Sequence, residues 1–456
     1  MDPRPAPPPR ERSLRLAELA GRRVGVWGHG REGRAAVRAA LDAGAAAVLV
    51  ADSRPVDPAA LPPGVTATAD VADLAGCDVV FRSPGISPYR GEARSLADRT
   101  VVTTGTGVAL AEAAARGVPV LCVTGTKGKS TTSALAAAVL TAAGRPAVHA
   151  GNIGTPLLDA VLDGVGDRTL VVEVSSYQAA AVPDFAGRGA LTSLAPEHLD
   201  WHGSEATYFR DKLRVFAGCP DRSVAVGAQA RPVAERYLRP AQLVDPAEVL
   251  PAGLADAVQP VHLPGAHNRS NVEVALAACA LLGLDLAATA DAVAAAVAGF
   301  RALPHRLAPV ATLGGVTFVD DTLSTTPVSV LAALDALAGR PLTLIAGGQD
   351  RGLDYTGLAA TLVQRRDTVA LVTVPDTGAR LADDVRREAA GAAVRLTETQ
   401  SLAEAVSAAI AGTPPGGVVL LSPGAPSYNR FRDFEELAAT YEQILVDSGA
   451  ERVPGV

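Results

Sequence analysis

Apolar and polar positions along this chain follow a repeating rhythm. Short runs of Val, Leu and Ala end at Gly, Pro or an acid, and Ala- and Leu-rich stretches of helical length follow them. Arg23–Gly33 reads as strand, turn and helix, Val48–Arg54 as a second strand ending in an acid, and Cys77–Ile86 as a third ending in a Ser-Pro-Gly turn. Further strands are predicted at Val118–Val123, Thr169–Val174 and Gly189–Leu194, with a helix over Ser130–Leu140. Beyond Phe300 the runs Thr317–Asp320, Leu342–Ala346, Val369–Thr373 and Gly417–Leu421 repeat the rhythm, and a last helix covers Phe434–Asp447. Strands alternating with helices predict mostly parallel sheets. The expected architecture is therefore α/β in three domains: a Rossmann-like region over residues 1–105, a central P-loop region over 106–300 and a second Rossmann-like region over 301–456.

Composition narrows the class. A hydrophobic share of 48% with 20% charged residues is that of a globular protein and excludes a disordered one. Aromatics make up only 4%, which suits helices packed through small residues. A net charge of −7 lacks the basic surface that a nucleic-acid partner needs. The four cysteines (Cys77, Cys122, Cys219, Cys279) form no C-x-x-C pair and are expected to be buried free thiols of a reducing cytosol. The apolar stretch Val274–Val297 is broken by Asp285 and Asp291, so no membrane span is expected. Met1–Arg12, rich in Pro and Arg, reads as a loose tail and not a secretory leader, and a cytoplasmic location follows.

The most specific chemistry lies in Thr124-Gly-Thr-Lys-Gly-Lys-Ser-Thr131, between a predicted strand and a predicted helix. Backbone N–H groups in such a turn, with the helix N-terminus behind them, hold an anion. Lys129 can reach the outer phosphates of a nucleotide, and the Ser130 hydroxyl can sit on Mg²⁺. The common G-x-x-x-x-G-K-[ST] pattern is not met, because its first glycine would be Val123. Glu173, at the end of the next strand, can face the same nucleotide or be a capping carboxylate. His198 in Glu197-His-Leu-Asp200 and Lys212 in Tyr208-Phe-Arg-Asp-Lys212 have plain readings as a structural imidazole and a solvated helix face. Gly28-x-Gly30-x-x-Gly33 followed by Asp52 has the shape of an NAD-binding half, or of glycines used only for packing. Three α/β regions around one ATP site suit a ligase, in which ATP activates a substrate inside a closing cleft.

The chain resembles the Mur ligases of peptidoglycan synthesis over nearly its whole length. The matches run in family order: Thr124–Thr131, Gly151-Asn-Ile-Gly154, Glu173-Val-Ser-Ser-Tyr-Gln178, Glu197-His-Leu-Asp200 with Lys212, Gly265-Ala-His-Asn-Arg-Ser-Asn271, Leu303-Pro-His-Arg306 and Asp321. Within the family, Gly28-x-Gly30, Asp52-Ser-Arg54, Ser83-Pro-Gly-Ile86 and Ser422-Pro-Gly-Ala-Pro-Ser427 are similar to the branch that adds glutamate to UDP-N-acetylmuramoyl-L-alanine. The resemblance implies ATP and Mg²⁺ as cofactors and an acyl-phosphate intermediate, and it makes NAD unexpected. It implies that Gly125, Thr126, Lys127, Gly128, Lys129, Ser130, Thr131, Asn271, Arg306 and Asp321 hold ATP. It assigns catalysis to Lys129, Glu173, His198 and Lys212, and metal binding to Ser130, Glu173, His198 and a carbamylated Lys212. It places the UDP-substrate on Gly28, Gly30, Asp52, Ser53, Arg54, Ser83, Pro84, Gly85, Asn152, Thr155, Ser175 and Gln178, and glutamate on Thr325, Arg351, Ser427 and Phe434. A monomer is implied.

The departures fall in the third region. Where the D-glutamate enzymes usually read Asp-Ser-Lys-Ala-Thr-Asn, this chain reads Asp321-Thr-Leu-Ser-Thr-Thr326, so a lysine is replaced by Leu323 and an asparagine by Thr326. A usual glutamate is Ala308, a usual Arg-Gly is Glu436-Leu437, and Arg351 stands where lysine is usual. This pattern is similar to the variant branch that adds L-glutamate, whose product an epimerase inverts. The alternatives are an ordinary D-glutamate ligase and, more distantly, a folylpolyglutamate-synthase-like ligase, which would lack the N-terminal glycine-turn region.

Overall fold

The computed structural model describes residues 12–182, 185–254, 266–301, 304–427 and 429–453. The tail read at Met1–Arg12 falls almost wholly outside these residues, as do Gly265 and Leu303 of the motifs above. The α/β expectation is met by three sheets. The chain divides at Phe300 into two compact units, the first holding two sheets and the second holding one.

In the first sheet, β1 (Arg23–Trp27), β2 (Ala47–Ala51), β3 (Val65–Thr68), β4 (Val79–Arg82) and β5 (Val101–Thr103) lie in the order β3-β2-β1-β4-β5. All are parallel, so the strand order reverses between β1 and β4. Such a reversal opens a crevice at the carboxyl ends of the strands. Asp52, Ser53 and Arg54 lie just past β2, so the strand is shorter than the sequence reading.

In the second sheet, β6 (Val120–Thr124), β7 (Ala147–Gly151), β8 (Thr169–Glu173), β9 (Arg188–Leu191), β10 (Val224–Val226) and β11 (Leu243–Val244) lie in the order β11-β10-β9-β6-β8-β7, again all parallel. β6 is buried along its length and sits between β8 and β9. The turn after β6 therefore lies at a switch point, with Glu173 at the end of one neighbour. The helix Lys129–Ala142 buries Leu135, Val139 and Leu140 against one face of this sheet, beside the helix Ala266–Leu281. All four cysteines are buried and free.

The third sheet contains β12 (Ala308–Leu313), β13 (Val316–Asp320), β14 (Leu342–Gly348), β15 (Val369–Asp376), β16 (Leu396–Glu398), β17 (Val418–Leu421) and β18 (Glu451–Arg452), in the order β16-β15-β14-β17-β13-β12-β18. Its centre is parallel, but β12 pairs antiparallel with both β13 and β18. This edge departs from the purely doubly wound expectation. Its cause is local: Gly314 and Gly315, both with positive φ, close a two-residue hairpin. No described helix is long and apolar enough to cross a membrane.

Candidate active site

The turn after β6 is shaped by two glycines that no side chain could replace. Gly125 has φ +152, and a Cβ there would lie 2.0 Å from the Thr192 hydroxyl. Gly128 has φ +84, and a Cβ there would lie 2.2 Å from Asn271 Oδ1. Gly128 also precedes the first turn of the helix Lys129–Ala142, so the helix N-terminus opens directly onto the loop. Thr126 donates its N–H to Ser193 O at 2.6 Å and shares a hydroxyl contact of 2.7 Å with Tyr208. Lys127 reaches Glu197 at 2.8 Å.

Lys129 and Lys212 converge on this loop. The Lys129 ammonium donates to the carbonyls of Gly125 and Thr126, both at 2.9 Å. Lys212 is buried in the helix Glu205–Leu213 and donates to Gly125 O at 2.8 Å. Burial first, and then the charge of Lys129, push the Lys212 pKa well below that of a free lysine. The plain reading of Lys212 as a solvated helix residue is thereby overturned, because its side chain points into the protein. His198 adopts a left-handed backbone (φ 55) at the start of the short helix Leu199–His202. Its side chain is 39% exposed, yet partial desolvation and the lysines around it outweigh Glu197 and bring its pKa down to about 4, so the imidazole is neutral at pH 7.

Two oxygens in this group have no hydrogen-bond partner although they are buried: Ser130 Oγ and Glu173 Oε2. The other oxygen of Glu173 accepts from the Asn152 amide at 2.9 Å. An orphaned hydroxyl and an orphaned carboxylate oxygen beside a phosphate loop are the hard donors that Mg²⁺ takes. Among the described residues no three His, Cys, Asp or Glu cluster as a metal cage. Thr131 is half-buried in the same helical turn, and Asn271 is buried with its amide on Asn268.

At the carboxyl edge of the first sheet lies a cavity of about 560 Å³. Every residue assigned to the UDP-substrate lines it except Thr155, which instead closes the turn after β7 through its carbonyl on Gly151 N–H. Gly33 closes the approach behind it, since a Cβ there would lie 1.9 Å from Gly28 O. Asp52 accepts from the backbone N–H groups of His29 and Arg54, which bring its pKa below the ordinary carboxylate value against the opposing effect of burial. The sequence reading missed Arg31, Arg90 and Tyr177 in this wall. Arg31 lay inside the glycine motif and could have been found. Tyr177 lay inside the Glu173–Gln178 motif and could have been found too, whereas Arg90 had no motif around it. Glu197 and Tyr208 were likewise not singled out as site residues, yet they hold Lys127 and Thr126.

In the second unit, Arg306 and Asp321 come together. His305 and Leu307, on either side of Arg306, both have positive φ. His305 is fixed by a 2.7 Å contact between Nδ1 and Asp320, and Asp321 accepts from Leu307 N–H at 3.2 Å and Ser422 Oγ at 2.7 Å. Burial raises the Asp321 pKa to about 6 against these donors and Arg306. Phe434 packs edge-on to His305 with ring centres 5.4 Å apart. Ser427 lines a mainly apolar cavity of about 490 Å³ whose walls do not include Thr325, Arg351 or Phe434. The residues assigned to glutamate are therefore not gathered in one cavity. Thr325 is half-buried and Arg351 exposed. The departures have structural work: Thr326 caps the helix Pro327–Ala336, Leu323 N–H bonds to His305 O, and Ala308 and Leu437 are buried.

The profile of the Mur ligase middle domain matches residues 123–250, and that of the Mur ligase glutamate ligase domain matches 305–424. A UDP-N-acetylmuramoyl-L-alanine–L-glutamate ligase of a Micromonospora species is 45% identical, covering 95% of this chain and 99% of the relative. A ligase of the same name from Xanthomonas euvesicatoria is 39% identical over 94% of this chain and 96% of its own. The solved UDP-N-acetylmuramate-alanine ligase of Thermotoga maritima superimposes with a TM-score of 0.59 at 16% identity, covering 94% of this chain and 100% of that one. At that identity the likeness speaks for the fold. The chain belongs to the Mur ligase family. It is thus an ATP-dependent, amide-bond-forming ligase of peptidoglycan synthesis.

Proposed function

We propose that the chain joins L-glutamate to UDP-N-acetylmuramoyl-L-alanine, converting ATP to ADP and phosphate. The observation that carries this reading is the cavity at the edge of the first sheet, whose walls are the residues the resemblance assigns to that substrate, Thr155 excepted. The names of the 45% and 39% identical relatives support it. The reading divides the chain into a UDP-substrate region over 1–105, an ATP region over 106–300 and an amino-acid region over 301–456. It places a monomer in the cytoplasm, with an epimerase acting on its product.

The diphosphate meets the Gly28–Gly30 turn, the N-terminus of the helix Arg31–Asp42 and the cations of Arg31, Arg54 and Arg90. The uracil lies toward Asp52-Ser53-Arg54. The L-alanyl carboxylate passes Asn152, Ser175 and Gln178 toward the phosphate loop. Gly125, Thr126, Lys127, Gly128 and Thr131 receive the ATP phosphates, and Asn271, Arg306 and Asp321 the adenosine and the remaining phosphate oxygens. A carboxylate oxygen attacks the γ-phosphorus, and the bond to the ADP oxygen breaks. Lys129, turning from the carbonyls it now holds, neutralises the transferring group. The glutamate amine then attacks the acyl carbon, a proton leaves the nitrogen, and phosphate departs with the former carboxylate oxygen. Thr325, Arg351, Ser427 and Phe434 bind the glutamate.

Ser130, Glu173, His198 and a carbamylated Lys212 would hold Mg²⁺, which supplies charge neutralisation on the phosphates. The depressed pKa of Lys212 favours the neutral amine, the form that adds CO₂ and loses a proton to become a carbamate. The stereochemical preference rests on the changed 321–326 segment. A half-buried leucine stands where the D-glutamate branch has a lysine, so the cation that would meet a D-glutamate carboxylate is absent from that position.

The test is phosphate release with ATP, Mg²⁺ and UDP-N-acetylmuramoyl-L-alanine, with L- and D-glutamate in parallel. Turnover with L-glutamate alone is expected. Turnover with D-glutamate alone would refute the stereochemical assignment, and silence with both would refute the glutamate assignment.

A further inference from the structure

A buried polar relay outside the reacting groups links the two sheets of the first unit. Asp211, on the helix Glu205–Leu213, is 2% exposed and accepts from two donors. The Tyr89 hydroxyl lies 2.8 Å and 2.9 Å from its two oxygens, and His202 Nδ1 lies 2.7 Å from Oδ2. Because a carboxylate only accepts, Nδ1 carries the imidazole proton. Nε2 lies 3.1 Å from the Ser176 hydroxyl. His202, Asp211 and Ser176 are all buried. Nothing in the chemistry above uses them.

Their position gives them a task. Asp211 immediately precedes Lys212, and neighbouring helical side chains are fixed about 100° apart. Gripping Asp211 therefore sets the rotation of the helix, and with it the direction of the Lys212 amine toward Gly125 O. Tyr89 belongs to the loop Ser83–Arg90, whose Ser83, Pro84, Gly85, Ile86 and Arg90 line the substrate cavity. Two further bonds tie this loop to the short helix Leu199–His202: Ser87 Oγ to Trp201 O at 2.9 Å, and Trp201 Nε1 to Gly85 O at 3.2 Å. Trp201 stacks on Tyr177, another wall residue, at 4.7 Å. His202 thus holds Ser176 next to the wall residue Ser175 on one side, and Asp211 next to Lys212 on the other.

We propose that Asp211, held by Tyr89 and His202, is the positioning residue of Lys212, and that the Tyr89–Asp211–His202–Ser176 relay couples occupancy of the substrate cavity to the orientation of that lysine. The inference rests on the role given to Lys212 above. A carboxylate fixed by two donors in a dry setting is stiff, since any rotation leaves a buried group unpaired. Substrate that orders the Ser83–Arg90 loop therefore also orders the helix carrying Lys212.

Tyr89→Phe is the sharpest test, because it removes one hydroxyl and keeps the ring with its edge-on contact to Trp201 at 6.2 Å. Steady-state kinetics should give a kcat about 10-fold lower, with the KM for ATP changed less than about twofold. The bicarbonate concentration that half-saturates activity should rise about fivefold or more, because a misdirected amine forms its carbamate less readily. Asp211→Asn should show the same pattern more strongly, with Asp211→Glu partly restoring kcat. If Asp211→Asn does not fold, Tyr89→Phe decides. Wild-type kcat and bicarbonate dependence in Tyr89→Phe would overturn the relay. So would a loss of kcat that only tracks a fall in thermal midpoint, with bicarbonate dependence unchanged. The wild-type protein in the same assay keeps the claims apart: its silence refutes the ligase reading, whereas the ratio of variant to wild type bears on the relay alone.

Discussion

Replacing Asp321 by asparagine should stabilise the second unit at neutral pH while impairing the enzyme. The carboxyl is buried, and its pKa is raised to about 6 from an ordinary 3.8, chiefly by desolvation. The sign follows from proton binding. Between pH 4 and pH 6 the folded state holds the proton more tightly than the unfolded chain, so stability falls as pH rises through that window. The gap is roughly two pH units at about 1.4 kcal/mol each, or about 3 kcal/mol withheld above pH 6. Asparagine keeps the shape and can still accept from Leu307 N–H, while the Ser422 hydroxyl can turn to accept from the amide. It has no charge to desolvate. Calorimetric unfolding of Asp321→Asn and wild type, compared at each pH from 4 to 8, cancels every other titrating group. The advantage of the variant should grow by about 2 kcal/mol from pH 4 to pH 7, which is several degrees in thermal midpoint for a unit of this size. The proposed contact of Asp321 with the nucleotide predicts a fall in nucleotide affinity in the same variant, because one of its two acceptor oxygens becomes an amide donor. A stability difference that does not change with pH would refute the reasoning.

Other substitutions test separate parts of the account. Gly128→Ala, forced into φ +84 with its Cβ 2.2 Å from Asn271 Oδ1, should destabilise by about 1–3 kcal/mol and abolish ATP binding measured by nucleotide fluorescence. Glu173→Gln should lower kcat by about 100-fold or more in a Mg²⁺ titration, with no fall in thermal midpoint, because it removes a charge from a buried, unpartnered oxygen. Lys127→Met leaves Glu197 part-buried without its 2.8 Å partner and should lower urea stability by about 1–3 kcal/mol.

Much of this was legible in residue order. The strand after which Gly125 and Gly128 bend the chain could be read because an apolar run and two glycines each force their own local geometry. The turns that frame the cavity of the first sheet were legible for the same reason, though not what the cavity holds: Gly28, Gly33 and the Ser83-Pro-Gly turn permit backbone approaches that side chains forbid. What was not legible depends on contacts between distant segments. From its charged neighbours alone Lys212 read as a surface lysine, the family resemblance alone marked it as a site residue, and only folding places it against Gly125 O. The same holds for Tyr89 and Asp211, which are 122 residues apart. The antiparallel edge made by β12 was missed although Gly314-Gly315 announced its hairpin, because the flanking runs are short and mixed. The glutamate residues remain the least gathered of the assigned set, since Ser427 lines one cavity and Phe434 packs on His305 elsewhere.

The central claim is that ATP activates the substrate carboxylate as an acyl phosphate. UDP-N-acetylmuramoyl-L-alanine labelled with ¹⁸O in its terminal carboxylate, turned over with ATP and L-glutamate, tests it most directly by mass analysis of the released phosphate. The account predicts one ¹⁸O in each phosphate, carried out of the carboxylate when the amine displaces it. Amide formation with unlabelled phosphate would contradict it.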